Sequence, residues 1–249
     1  VNGKRYKPTK TYDTIEEEEK ALTTFKVNKQ NKHLATSNSM SVVDMLDYWM
    51  KHYVKKKCEA TTRYGYNNII SKHMSHYFGN LKLSELRPMH IRNYYDYLGE
   101  GKKLSINTIY KHHACIRSAL KYGVSQEFTD RNVASAITLS KKKSFEGKAY
   151  NNEQMTELLQ KVVGTKLEVP VYLAKQLGLR REEVSGLKWK NVDLEQGIIN
   201  IVEVRTSAGK EVITKQPKMK ESKRTLFMPN DLVEVLCKNR KKQEYLKSY

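Results

Sequence analysis

No run of apolar residues in this 249-residue chain approaches the roughly 18 that a membrane span requires. The first ten residues, VNGKRYKPTK, carry charge with no apolar stretch behind it, which argues against a secretory leader. A soluble, cytoplasmic protein with no membrane partner is the expectation. Cysteine is scarce. Cys58, Cys115 and Cys237 are the three, far apart and without a Cys-x-x-Cys pair, so neither a disulfide framework nor a structural zinc site is supported. Two histidine pairs, His73/His76 and His112/His113, lack a third ligand nearby in sequence and read as polar faces of helices. A cluster of Asp and Glu able to hold two metals is also missing. No metal and no cofactor are expected.

Acidic residues are outnumbered. Lys and Arg total 46 against 27 Asp and Glu, a formal net charge of +19. That balance favours a polyanionic partner, nucleic acid ahead of a membrane surface. The basic residues are spread along the whole chain, which suits a protein that wraps its partner better than one with a basic tail. An apolar content of 39% is enough for packed cores, and the length suits two domains with an appended piece.

Residues 1–40 are basic and poor in large apolar side chains. Asn2-Gly3 marks a turn, and Tyr6 and Tyr12 suit strands. TIEEEEKALTTFKVNKQ then reads as a helix, with Thr14 as N-cap and glutamates in the first turn, where the helix dipole favours anions. So small a region cannot build a stable core alone. Residues 41–139 read as four helices. Ser41 and Asp44 form a capping signal, and Val42, Leu46, Trp49 and Tyr53 make one apolar face. A second helix starts near Thr61 and ends at Gly79. A third starts at Pro88 and stops at Gly99 or Gly101, and Ser105 opens a fourth. Basic side chains interleave with aromatics here. Arg63, Lys72, Arg92, Lys111, Arg117 and Lys121 are the candidate contacts to DNA phosphates, although any one of them can equally be a solvated surface residue.

Residues 140–150 read as a basic linker in which Lys141, Lys142 and Lys143 could track a phosphate backbone. Asn151 caps a new helix, and residues 151–249 follow an α+β order of helices, a small antiparallel sheet and a closing helix from Asn230. The sheet is expected from one strand over Ile198–Val204 and two short strands around a Lys-rich turn. Between helices lies QLGLRREEVSGLKW, where Gly178 ends one helix and Glu182 and Glu183 open the next. As a string alone, it can be an exposed helix start with ion pairs.

GLRREEVSGLKWKNVDLEQGIINI resembles the Gly-Leu-Arg-x-x-Glu segment of the tyrosine recombinases, the phage and transposon integrases. TKQPKMKESKRTLFMP resembles that family's Lys-bearing β-hairpin, through its Pro-Lys-x-x-x-Ser-x-Arg pattern. Residues 41–139 resemble the family's helical core-binding domain, and residues 1–40, more weakly, part of the arm-type DNA-binding domain of conjugative-transposon integrases. The resemblance implies a mainly α fold with an α+β catalytic part. The helical core-binding domain would be joined by the linker to the N-terminal part of a recombinase catalytic domain, residues 151–249. It also implies a metal-free enzyme that cuts and rejoins DNA through a covalent 3′-phosphotyrosine to integrate or excise a mobile element.

The resemblance maps roles onto residues. Arg180 would hold the scissile phosphate, a task suited to a permanently charged, forked donor, and Glu183 would orient it. Lys218 would protonate the leaving 5′-oxygen, with Lys220 as competitor. Arg181, Lys220 and Arg224 would contact DNA. Expected partners are double-stranded recombination sites, further integrase protomers, and an excisionase or DNA-bending factor, on the nucleoid. The family also uses a His-x-x-Arg box and a tyrosine nucleophile. No histidine follows His113, and Tyr245 and Tyr249 lack the family's surrounding motif, so the chain reads as cut short before those elements. The rival reading is a non-catalytic DNA-binding module. An RNA-binding basic protein is a third.

Overall fold

The structure is a computed structural model that describes residues 14–30, 39–142, 144, 146–217 and 223–248, with only the backbone of 24–30. The turn and strands expected at Asn2-Gly3, Tyr6 and Tyr12 lie outside the described residues, as do Lys143, Lys218, Lys220 and Tyr249. The chain divides into two compact units, Val1–Ser144 and Phe145–Tyr249.

The first unit is helical. α1 (Ile15–Gln30) carries Glu16, Glu17 and Glu18 in its first turn, and Thr14 Oγ1 accepts from the Glu17 amide at 3.4 Å. α2 (Val42–Trp49) opens on a reciprocal cap. Ser41 Oγ accepts from the Asp44 amide at 3.0 Å, and Asp44 Oδ2 accepts from the Ser41 amide at 3.0 Å. α2 runs through a π turn at Met50–Val54 into α3 (Lys55–Lys57). α4 (Ala60–Ile69) likewise passes through a π turn at Ile70–Met74 into α5 (Ser75–Phe78), where Gly79 stops it at φ +49°. α6 (Pro88–Asp96) starts on Pro88 and ends in a third π turn, Tyr97–Gly101. α7 (Ile106–Ser125) is capped by Ser105.

Val42, Leu46 and Trp49 are sealed in the core, as their spacing predicts, but Tyr53 is 39% exposed. Tyr53 falls inside the first π turn. The wider turn shifts the phase of the apolar face, which a fixed 3.6-residue period does not anticipate.

The histidine pairs are not simple polar faces. His112 is 2% exposed, its Nδ1 lies 2.8 Å from the Tyr94 hydroxyl, and its ring stands edge-on to His73 at 4.9 Å. His113 Nδ1 lies 2.9 Å from the Tyr95 hydroxyl. These pairs pin α6 to α7 through satisfied buried groups. Burial first, and then His73, lowers the His112 pKa from 6.5 to about 4. A histidine held neutral in the fold binds fewer protons than it does unfolded. Its stabilisation is therefore complete above pH 6.5 and declines as the pH falls from there to about 4. Urea midpoints of this unit are expected to drop between pH 7 and pH 4.5, His112 accounting for about 3 kcal/mol at most. A His112→Gln variant is expected to lose most of that slope. An unchanged slope in the variant would contradict the assignment.

The second unit opens with α8 (Asn152–Val162), where Asn151 and Gln154 cap each other. α9 (Glu168–Leu177) follows, and Gly178 closes it in the left-handed region at φ +61°. α10 (Arg181–Gly186) is only six residues long. β1 (Val192–Asp193), β2 (Ile198–Ile201) and β5 (Arg224–Phe227) form an antiparallel sheet in the order β1-β2-β5, with Ile199 opposite Leu226. Among the described residues β3 (Val204–Ala208) pairs only with β4 (Glu211–Lys215), as a hairpin. α11 (Asn230–Lys247) packs Leu232 and Leu236 against Leu173, Ile199 and Ile201.

Two sequence expectations change here. The strand read over Ile198–Val204 breaks at Val202 and Glu203, so β2 and β3 belong to different sheets. An unbroken β-prone string conceals the break, because Val202 is exposed and Glu203 is held by Lys188 at 2.7 Å. The two strands flanking the Lys-rich stretch, β4 and β5, do not pair with each other. No helix among the described residues is long and apolar enough to cross a membrane.

Candidate functional site

The site is built from the turn between α9 and α10. Gly178 reverses the chain and Leu179 is buried, anchoring the turn. Arg180 then takes an extended conformation, φ −70° and ψ 152°, as the N-cap of α10. This places Glu183 one turn further on, facing back. The Arg180 amide donates to Glu183 Oε2 at 2.8 Å, and Arg180 Nη1 donates to Oε1 at 3.2 Å. From the sheet, Arg224 at the start of β5 donates through Nη1 to Oε1 at 2.9 Å and through Nη2 to Oε2 at 3.1 Å. One carboxylate thus takes four hydrogen bonds from two arginines.

Exposure separates the roles. Glu183 is 3% exposed and Arg224 29%, whereas the Arg180 side chain is 75% exposed. The Arg224 hydrogen bonds, supported by the Arg180 amide, outweigh burial and hold the Glu183 carboxyl down at about 2. Glu183 raises the Arg224 pKa in return. The carboxylate is ionised at any physiological pH. Its charge fixes the root of Arg180 and leaves most of that guanidinium open to an anion.

Gly186 closes the assembly. A Cβ there would lie 2.8 Å from Val204 Cα, 2.9 Å from the Arg205 amide nitrogen and 2.9 Å from Glu203 O. Only glycine lets α10 lie directly on the backbone of β3. Thr206 Oγ1 donates to Glu182 Oε1 at 3.3 Å and ties the same two elements together, and the Lys188–Glu203 ion pair joins the residues just beyond them. Trp189 Nε1 donates to Gln243 Oε1 at 2.8 Å, with Arg240 over the indole, which fastens the segment after α10 to α11.

Of the residues singled out from sequence, the structure brings Arg180, Glu183 and Arg224 together. Arg224, expected as a DNA contact, donates from both its terminal nitrogens to Glu183. Arg181 is exposed beside Arg205. Arg63 is half-buried and donates to the Lys55 carbonyl at 3.2 Å, joining α4 to α3. Lys72, Arg92, Lys111, Arg117, Lys121, Lys141 and Lys142 are exposed, and Lys142 lies 4.5 Å over the Tyr110 ring. Lys143, Lys218 and Lys220 lie outside the described residues. Sequence reading missed Gly186 and Arg205. A small residue inside VSGLKW was the only signal for the first, and the Arg-x-Ser alternation of β3 for the second.

Known proteins match both halves of this architecture. Residues 41–99 match the family model of the phage integrase N-terminal SAM-like domain. A XerC-like tyrosine recombinase of Caldanaerobacter subterraneus subsp. tengcongensis is 24% identical over 227 residues, covering 82% of this chain and 57% of its own length. An integrase of Streptomyces ambofaciens is 24% identical over 203 residues, covering 79% and 51%. The chain therefore spans about half the length of the curated relatives it matches. The Tn1549 transposon integrase in complex with a circular intermediate DNA superposes with a TM-score of 0.69 at 16% identity, over 82% of this chain and 66% of that one. A lambda integrase dimer bound to a COC′ core site superposes at 0.58 and 17% identity, over 76% and 52%. The helical unit, the small antiparallel sheet and the matches running across both units agree: the chain is similar to tyrosine recombinases and integrases in sequence and in fold.

Proposed function

We propose that this chain supplies the DNA-binding and phosphate-holding part of a site-specific recombinase. The enzyme would cut and rejoin double-stranded DNA through a covalent 3′-phosphotyrosine, integrating or excising a mobile element. The observation that carries this reading is Arg180: a guanidinium three-quarters exposed, rooted on a buried, ionised Glu183. Transesterification at a phosphodiester builds negative charge on the non-bridging oxygens. A preorganised donor aimed at that charge stabilises the transition state more than the ground state.

In the proposed reaction a tyrosine oxygen attacks phosphorus and the bond to the 5′-oxygen breaks. Arg180 holds the phosphate and Glu183 orients Arg180. A lysine gives its proton to the departing oxygen. Lys218 is the proposed donor and Lys220 its competitor. The exposed cations of the helical unit and of Lys141 and Lys142 contact the duplex backbone. The net charge of +19 supports a long polyanionic partner. Because one structural relative is a lambda integrase tetramer bound to a Holliday junction, we also propose that several protomers assemble on DNA in the cytoplasm. An excisionase or DNA-bending factor would be an accessory.

The test is a nicked suicide duplex, carrying the enzyme's own recombination site, offered to the complete gene product. A covalent protein–DNA adduct through tyrosine is expected. Lys218→Ala should abolish adduct formation on a normal duplex and recover it when the 5′-bridging oxygen is replaced by sulfur. A thiolate, whose conjugate acid has a pKa near ~8.5, needs no proton to leave. Rescue of Lys220→Ala instead would transfer the role. Binding without any adduct would leave a DNA-binding module and remove the recombinase.

A further inference from the structure

Between α10 and the β3–β4 hairpin lies an open hollow of about 350 Å³. Arg181, Glu182 and Ser185 of α10 line it, with Arg205, Thr206 and Ser207 of β3 opposite. Its walls are held together by the contact that Gly186 permits, where α10 lies on the backbone of Val204 and Arg205. Two arginines on different elements therefore face one space by construction. Among the described residues neither Arg181 nor Arg205 is held by an ion pair. The one acid in the lining, Glu182, accepts a hydrogen bond from Thr206 at 3.3 Å. The hydroxyls of Ser185 and Ser207 remain as further donors. Arg224, by contrast, donates from both its terminal nitrogens to Glu183.

We propose that this hollow is a second phosphate site, in which Arg181 and Arg205 together hold one backbone phosphate of duplex DNA, distinct from the phosphate on Arg180. The proposal rests on the recombinase reading and deepens it. Two forked donors converging from a helix and a strand match a tetrahedral oxyanion better than a single cation does. Their task is register. They fix the duplex so that the neighbouring phosphate reaches Arg180, and they take no part in bond breaking. Sequence alone placed Arg181 next to Arg180 but gave no partner for it, because Arg205 lies 24 residues away and comes close only through the hairpin.

The experiment measures duplex affinity of the 249-residue chain by fluorescence anisotropy across a salt series. The variants are Arg181→Gln, Arg205→Gln, the pair together, and Glu182→Gln. All sit at exposed positions. The double variant is expected to bind roughly tenfold more weakly, as for a lost charge-assisted contact. It should flatten the slope of log affinity against log salt by about 0.9, the value for one phosphate. The single losses should not add. Glu182→Gln should tighten binding, a direction that damage to the fold cannot produce. A slope change of about 1.8 with additive losses would mean separate phosphates and overturn the shared site. Unchanged affinity in the double variant would overturn it as well, while leaving the recombinase reading intact. Failure of the unmutated chain to bind duplex, or preference for single-stranded RNA at equal salt, would sink both.

Discussion

Replacing Glu183 with alanine is expected to destabilise the second unit by about 3 kcal/mol, the lower end of the range for breaking a buried ion pair by removing one partner. The loss has two parts. Arg224, 29% exposed, would keep its charge in a half-buried position without the carboxylate that takes both its terminal nitrogens. The Arg180 amide would lose the acceptor that caps α10. Arg180 itself adds little, since its exposed guanidinium regains water. Glu183→Gln, which keeps the shape and removes the charge, should cost somewhat less. Pairing Glu183→Ala with Arg224→Met should recover part of the loss, because the half-buried cation that Glu183 balances is removed with it.

The pH dependence has a fixed sign. A carboxylate lowered from 4.5 to about 2 stabilises the fold fully above its unfolded value and loses that contribution as the pH falls from about 4.5 to about 2. The unmutated chain and Glu183→Gln should therefore differ most near pH 6 and converge near pH 2. Urea unfolding followed by hydrogen exchange at the amides of α10 and β5 measures both effects. A difference that stays constant with pH would mean that Glu183 is not the ionised centre of the cluster.

Local signals gave the helices away. Ser41 with Asp44, Pro88, Ser105, and Asn151 with Gln154 act within four residues of the ends they mark, so caps and stops stood in the string itself. Arg180 and Glu183 were legible for the same reason, three residues apart across one helical turn. What was hidden depends on distance along the chain. Arg224 meets Glu183 across 41 residues, and its surroundings in sequence, Lys-rich and polar, suggested a surface cation. The break between β2 and β3 is decided by which backbone α10 needs beside Gly186, a requirement that β propensity does not encode. His112 looked like a surface histidine because its partner, Tyr94, lies one helix earlier. The π turns escaped because a period of 3.6 residues assumes that every turn is alike.

In the reaction we propose, Arg180 acts on the transition state and only weakly on binding. Removal of one preorganised donor to a developing oxyanion typically lowers a rate by about 10²- to 10³-fold. Loss of a transition-state arginine in phosphoryl transfer falls in the range of about 10³ to 10⁵. Duplex affinity, in contrast, would be distributed over many exposed cations, of which Arg180 would be one. In the proposed reaction it has the larger role, since its amide and one guanidinium nitrogen are fixed by Glu183 while the rest of the fork stays open. Lysine at this position would keep the charge and lose the fork, so Arg180→Lys should recover binding and little of the rate. The decisive measurement is single-turnover cleavage of a suicide duplex by the complete gene product, with affinity measured in parallel, for the unmutated protein and Arg180→Ala. A cleavage loss of about 10³-fold or more is expected, with affinity within about tenfold. Equal losses in binding and cleavage, or cleavage that survives the substitution, would contradict it.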